Sequence, residues 1–127
     1  MLDHVSFSVT DIIRSKAFYD TALKPLGIRV LFEVTPEQLG GAHFMGYGDQ
    51  RPYFWIAAGD GLKGRLHVAF AANDRATVDA FYRAAMAAGG KDYGAPGLRP
   101  HYHADYYGAF VLDPDGHNIE AVCRTPA

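Results

Sequence analysis

The chain has almost no sulfur chemistry to offer. Cys123 is its single cysteine among 127 residues, so no intrachain disulfide can form and the composition suits a reducing cytosol. It also lacks an excess of either charge: 12 Lys and Arg against 14 Asp and Glu give a formal net charge of −2. The basic residues are scattered, which argues against a nucleic-acid footprint. No apolar run approaches the roughly 20 residues of a membrane span. The opening Met1-Leu2-Asp3-His4 puts an acid where a secretory leader needs positive charge, so a cytoplasmic location is expected. What is there is a globular composition, 49% apolar, with 8 Tyr, 8 Phe, 14 Gly and 6 His. At this length one domain spanning 1–127 is expected, with enough core to fold unaided.

The sequence resembles itself. Shifted by 63 positions, His4-Val5-x-Phe7 falls on His67-Val68-x-Phe70, Asp11 on Asp74, and Ala17-Phe18-Tyr19 on Ala80-Phe81-Tyr82. Ala22 and Gly27 meet Ala85 and Gly90, making nine identities over the 24 positions from 4 to 27. Chance would give roughly one or two, so the halves read as copies of one supersecondary unit. The copies span about 1–58 and 65–125, joined by the glycine-rich Gly59-Asp60-Gly61-Leu62-Lys63-Gly64.

Within each copy the periodicity changes once. His4 to Val9 and His67 to Ala72 alternate with period two, the mark of a half-buried strand. Asp11 and Asp74 are N-cap candidates. Val78, Phe81, Tyr82, Ala85 and Met86 then follow helical spacing, as do Phe18, Tyr19, Ala22 and Leu23 in part. Pro25 with Gly27, and Gly89-Gly90, stop the two helices. Three strands should follow each, near 28–33, 42–47 and 52–58, then near 91–95, 105–112 and 117–123. The turn Asp113-Pro114-Asp115-Gly116 joins the last two and is read as structural. The expected fold class is α+β, with two tandem βαβββ units forming an open eight-stranded barrel-like sheet.

Strand phase then sorts the side chains. Val5, Phe7 and Val9 belong under a helix, so His4, Ser6 and Ser8 must face the other way, as must His67, Ala69 and Ala71. Small residues there leave room for a cavity. In the last strand Ile119 belongs in the core, which turns Glu120 toward the same cavity. Two histidines at equivalent repeat positions plus a carboxylate form a candidate metal set, His4, His67 and Glu120. Such ligands suit Fe, Zn, Mn or Ni without distinguishing them. A cation with open positions would take two adjacent substrate oxygens. The alternative is a polar histidine opening each strand and a solvated Glu120.

The paired βαβββ units, the histidines opening equivalent strands and the ending Asp113-Pro114-Asp115-Gly116-His117-Asn118-Ile119-Glu120 together resemble the vicinal oxygen chelate superfamily. This is the glyoxalase, bleomycin resistance protein and extradiol dioxygenase family. The resemblance spans the whole chain and implies a divalent metal held by ligands from both units, at His4, His67 and Glu120. It also implies a homodimer, with units sometimes exchanged between chains. Glyoxalase-like members carry a fourth ligand in the first unit, at the slot equivalent to Glu120. Aligning Phe44 with Phe110 puts Trp55 there, and an indole cannot ligate a metal. This leaves Glu120 as the one carboxylate base at the metal.

Around that set, His101 is a candidate catalytic donor, and Trp55, Arg99, His103, Tyr107 and Ser6 are candidate substrate contacts. His101 and His103 would share a face if their segment is extended, and form a rival metal pair. His43, Met45 and Tyr47 are placed on the opposite cavity wall, and His117 at the surface. The function expected is a metal-dependent enzyme on a small molecule with adjacent oxygens, either a lyase/isomerase or a dioxygenase. The alternative is a non-catalytic, dimeric small-molecule-binding protein of the bleomycin-resistance kind. Neither reading involves nucleic acid or membrane partners.

Overall fold

The computed structural model describes all residues, 1–127. Its first unit runs β1 (Val5–Val9), α1 (Ile12–Ala22), β2 (Arg29–Val34), β3 (Phe44–Gly48) and β4 (Pro52–Ala58). The second runs β5 (His67–Ala71), α2 (Arg75–Ala87), β6 (Lys91–Leu98), β7 (Tyr107–Leu112) and β8 (Asn118–Cys123). Each unit is therefore βαβββ. The cap signals act as expected: the Asp11 carboxylate accepts from the Arg14 amide at 3.1 Å and Asp74 from that of Thr77 at 2.7 Å. Pro25 sits in a 3-10 turn after α1, closed by Gly27 at φ 75°, a backbone state that other residues adopt at a cost.

The eight strands form two four-stranded sheets with matching orders, β1-β4-β3-β2 and β5-β8-β7-β6. In each, the first strand runs parallel to the last and the remaining pairs are antiparallel. No ladder joins the sheets, so the barrel-like arrangement is open. The outer edges of β1 and β5 carry no strand partner. What joins the units is a common core on the helix side. Phe54 meets Phe70 edge to face at 5.2 Å between centroids, and Tyr19 packs on Phe54 at 5.1 Å. The helices also pack on one another.

Polar contacts reinforce this junction. Buried Tyr19 on α1 donates to Asp113 in the β7–β8 turn, and the Thr10 amide donates to Asp115 at 2.9 Å. Burial, followed by the Asp113 charge, pushes the Tyr19 phenol well above its ordinary pKa. Asp113 also accepts from the amides of Asp115 and His117, so the turn is structural, and it clasps the other unit as well.

Two sequence expectations need correction. Met45 and Tyr47 are fully buried and face the helices, not a cavity wall. Tyr47 packs on Tyr19 and Phe54, and in β3 it is Phe44, Gly46 and Gly48 that face away. His43 pairs with Glu33 at 2.9 Å. His117, expected at the surface, is 2% exposed. Its ring meets Phe7 edge-on at 5.5 Å and its Nδ1 accepts from the Leu66 amide at 3.3 Å, so it is part of the seam between units.

Removing the Tyr19 hydroxyl leaves a buried carboxylate one donor short. Tyr19→Phe should cost about 2 kcal/mol of unfolding free energy. Urea denaturation checks this; a change below about 0.5 kcal/mol would mean the clasp contributes nothing beyond packing.

Candidate metal centre

Strand alternation places His67, Asn118 and Glu120 on the face of the second sheet turned away from the helices, because Ile119, Ala121 and Cys123 take the core side. The structure brings two of the three expected ligands together. His67 Nε2 lies 3.0 Å from Glu120 Oε1. His67 Nδ1 lies 3.1 Å from the Asn118 carbonyl oxygen, which can only accept, so Nδ1 carries the ring proton. A neutral ring then turns the Nε2 lone pair toward a carboxylate oxygen. That confrontation is relieved by a proton between the two atoms, on the ring or on the carboxyl, or by a cation shared between them. With bonds of about 2.1 Å, donors at right angles around one cation lie about 3.0 Å apart. The donor set and its spacing fit a divalent metal.

Glu120 is 1% exposed even though it faces away from the core. Its cover is Tyr106, whose hydroxyl donates to Glu120 Oε2. Tyr106 lies under the Arg124 guanidinium, 5.0 Å from the ring centroid, and against the edge of Tyr102. Burial, with the Glu120 contact second, pushes the Tyr106 phenol up to about 12. Gly108 makes room for the pair: a Cβ there would stand 3.2 Å from Glu120 Oε2 and 3.1 Å from the Tyr106 ring. The sequence points to the aromatics at 102, 106 and 107 together and gives the substrate contact to Tyr107, whereas Tyr106 is the one that meets the carboxylate. The only available signal was the tyrosine-rich run at the start of β7, and strand phase decides between its members.

His4 does not join the pair, and no cluster of three metal-ligating side chains forms within one chain. It lies just before β1 and is exposed, lining an open groove of about 370 Å³ with Val5, Tyr53, Phe54 and Val68. Its Nδ1 is 2.8 Å from the Asp3 carboxylate, which Arg51 holds at 3.1 Å. Here too Nδ1 is the donor and Nε2 is left free, the arrangement that metal-binding histidines use.

The other candidates divide. Arg99 lies over the Phe110 ring at 5.4 Å, its guanidinium fixed by the carbonyls of Gly97 and Ala95, each at 2.8 Å. Phe110 in turn stacks beside His67 at 6.2 Å, so Arg99 borders the pair. Tyr107 points to the helix side, where its hydroxyl donates to Asp79 on α2 at 2.7 Å. Residues 99–106 form turns, so His101 and His103 do not share the face of an extended strand. His101 packs at a tilt against Tyr102, 4.2 Å between ring centroids, at the exposed end of the aromatic cover over Glu120.

Ser6 and Trp55 lie opposite each other on the helix-free face of the first sheet. The register also locates the slot of the fourth ligand. Trp55 pairs with Ser6 and Glu120 with Ala69, and 6 + 63 = 69, so Trp55 is the repeat equivalent of Glu120. The partner across the hairpin is Gly46 for Trp55 and Phe110 for Glu120. Gly46, not Phe44, is therefore the structural match of Phe110, while the assignment of the slot to Trp55 stands.

If these hydrogen bonds set the tautomers, long-range ¹H–¹⁵N spectra of metal-free protein at mildly alkaline pH should show His4 and His67 protonated at Nδ1. An Nε2–H signal from His67 would remove the argument for a shared cation.

Residues 1–121 match the family model of the Glyoxalase/Bleomycin resistance protein/Dioxygenase superfamily. No curated protein sequence matches. Among solved structures, a glyoxalase/bleomycin resistance protein from Albidiferax ferrireducens T118 is 32% identical, with a TM-score of 0.75 over 98% of this chain and 99% of that one. The fosfomycin resistance protein FosX from Listeria monocytogenes, a mutant complexed with Mn(II) and 1S,2S-dihydroxypropylphosphonic acid, shares the fold. It is 19% identical, with a TM-score of 0.71 over 98% of this chain and 90% of that one. A glyoxalase I mutant from Zea mays is 24% identical, with a TM-score of 0.70 over 95% of this chain and 46% of that one. The chain belongs to the glyoxalase/bleomycin resistance protein/dioxygenase superfamily.

Proposed function

We propose that the protein is a metal-dependent enzyme acting on a small molecule with two adjacent oxygens, of the lyase/isomerase or dioxygenase type. One observation carries this reading: His67 Nε2 and Glu120 Oε1 confront each other at 3.0 Å with Nδ1 already committed to a carbonyl. A protein that only sequestered apolar ligands would gain nothing from burying Glu120 beside His67. His67 and Glu120 supply two ligands and His4 of a second copy of the chain supplies the third. The unpaired edges of β1 and β5 leave each chain free to seat its first unit against the second unit of a partner. A divalent cation there would polarise the two substrate oxygens and stabilise negative charge that develops on them.

The chain's own groups do the rest. Tyr106 holds Glu120 Oε2, so only the other carboxylate oxygen faces the pair with His67. Glu120 is the one carboxylate at this centre placed to take a proton from substrate, and Tyr106 orients it. Arg99 stands beside Phe110 to bind an acidic or carbonyl group on the substrate. His101, at the outer end of the Tyr102–Tyr106 cover, is placed to exchange protons with solvent.

A shared site makes a sharp test. Neither His4→Ala nor Glu120→Ala chains should bind a stoichiometric divalent ion alone, yet heterodimers refolded from the two should regain one intact site of two. Metal analysis and calorimetry read the result; no recovery in a verified heterodimer would sink the shared arrangement. Removing the carboxylate's clamp by Tyr106→Phe should weaken Zn or Mn binding by about tenfold with the pair of ligands intact. An unchanged metal affinity would confine Tyr106 to packing.

A further inference from the structure

His117 keeps a buried imidazole where stability alone has no use for one. Its Nδ1 accepts from the Leu66 amide at 3.3 Å, so the proton of the neutral ring sits on Nε2. That Nε2–H is buried without a hydrogen-bond partner, beside a Phe7 ring set at 81° to the imidazole. An unmet buried donor is destabilising, and an apolar ring of similar size would avoid it. What the imidazole does supply is an acceptor one residue before His67.

His117 is itself firmly anchored. Its amide donates to Asp113 Oδ1 at 2.8 Å, and its carbonyl accepts from the Asp113 amide at 2.9 Å. From this fixed point three bonds reach the start of β5. The Leu66 amide donates to His117 Nδ1, the Asn118 amide donates to the Leu66 carbonyl at 2.9 Å, and His67 Nδ1 donates to the Asn118 carbonyl at 3.1 Å. The first two hold both backbone polar groups of Leu66. The third orients the next side chain so that Nε2 faces Glu120.

The repeat supplies a comparison within the same chain. Asp3 and His4 stand at the repeat positions of Leu66 and His67. His117 lies three residues before Glu120; three residues before Trp55 lies Pro52, whose side chain has no acceptor. The β3–β4 register also slips beside it, at Gly48. Neither the amide nor the carbonyl of Asp3 is hydrogen-bonded, and β1 starts only at Val5. Asp3 is tied instead through its side chain, to exposed Arg51, a surface ion pair that fixes little. His67 is thus paired with Asn118 in a ladder, and His4 is left outside one.

We infer that His117 is a positioning residue for the metal centre: by holding the Leu66 amide, its Nδ1 sets the His67 ring against Glu120 before any cation arrives. This rests on the metal-dependent reading for what the pair then binds, while the hydrogen bonds themselves need no metal. It also makes the two histidines unequal. The His67–Glu120 half is preset within one chain, and His4 is the ligand still to be placed.

Two variants separate positioning from packing. His117→Phe keeps the ring volume and removes both nitrogens, whereas His117→Asn keeps an acceptor on Cγ, where Nδ1 is attached. In metal-free wild-type protein the Leu66 amide should exchange with solvent at least about tenfold more slowly than the Asp3 amide, each relative to its intrinsic rate. In His117→Phe the Leu66 amide should exchange at least about tenfold faster while that of Phe81, in the core, is unchanged. At mildly alkaline pH the His67 ring should lose its single Nδ1–H tautomer in ¹H–¹⁵N spectra of the same variant. Its affinity for Zn, read by calorimetry, should fall about tenfold, and His117→Asn should bring all three readouts back to within about threefold of wild type. A wild-type Leu66 amide as fast as that of Asp3, a result that needs no variant to fold, would overturn the proposal. So would an unchanged His67 tautomer and Zn affinity in His117→Phe, or a His117→Asn chain no better than His117→Phe. Loss of the tautomer in His117→Phe, with no Zn bound even by wild type, would count against the metal reading and leave the positioning of His67 standing.

Discussion

One constraint organises the molecule: each sheet must give one face to a core that both units share. Phe7, Val9, Phe54 and Ile56 take that face in the first sheet, and Phe70, Val111, Ile119 and Ala121 take it in the second. Strand alternation then leaves no choice for the residues between them. His67, Glu120, Ser6 and Trp55 are displayed on the opposite faces because their neighbours are apolar and buried. A slip of one residue in any of these strands would exchange core for site. The chemistry is thus positioned by hydrophobic burial, and local hydrogen bonds refine it.

The second unit shows that refinement in detail. Glu120 stays almost fully buried while facing away from the core because Tyr106, His67 and the gap at Gly108 together enclose it. A buried carboxylate is costly unless each oxygen has a partner: Tyr106 supplies one to Oε2, and a proton or cation between Oε1 and His67 Nε2 would supply the other. The first unit solves the same position differently. It puts a large indole where the carboxylate would be and a glycine where the opposing Phe would be, which conserves volume and reverses polarity. The duplicated scaffold therefore presents one ionic wall and one aromatic wall.

Much of this was legible in the sequence. The repeat, the strand phase of His67 and Glu120, the Asp caps and the structural turn all follow from local pattern, and the structure agrees with them; His4 lies just before β1. What sequence could not supply were contacts made between distant segments. His117 looks like a polar residue after an exposed turn, and its burial depends on Phe7 and Leu66 reaching it across the seam. Met45 and Tyr47 were placed on the wrong wall because glycines at 46 and 48 hide the phase of that strand. Tyr106 and Tyr107 are adjacent and chemically alike. Only the register of β7 sends Tyr107 to α2 and leaves Tyr106, the residue just before that strand, over the carboxylate.

Duplication left the halves alike in outline and unlike in one fastening. Tyr19 and Tyr82 hold the same place in the repeat, yet only Tyr19 is sunk against a turn of the opposite half. The tie runs one way, from the front helix to the rear hairpin. Which half faces which has therefore become information: two front halves paired together would lack the Asp113 turn that receives the phenol, whatever their order along the chain.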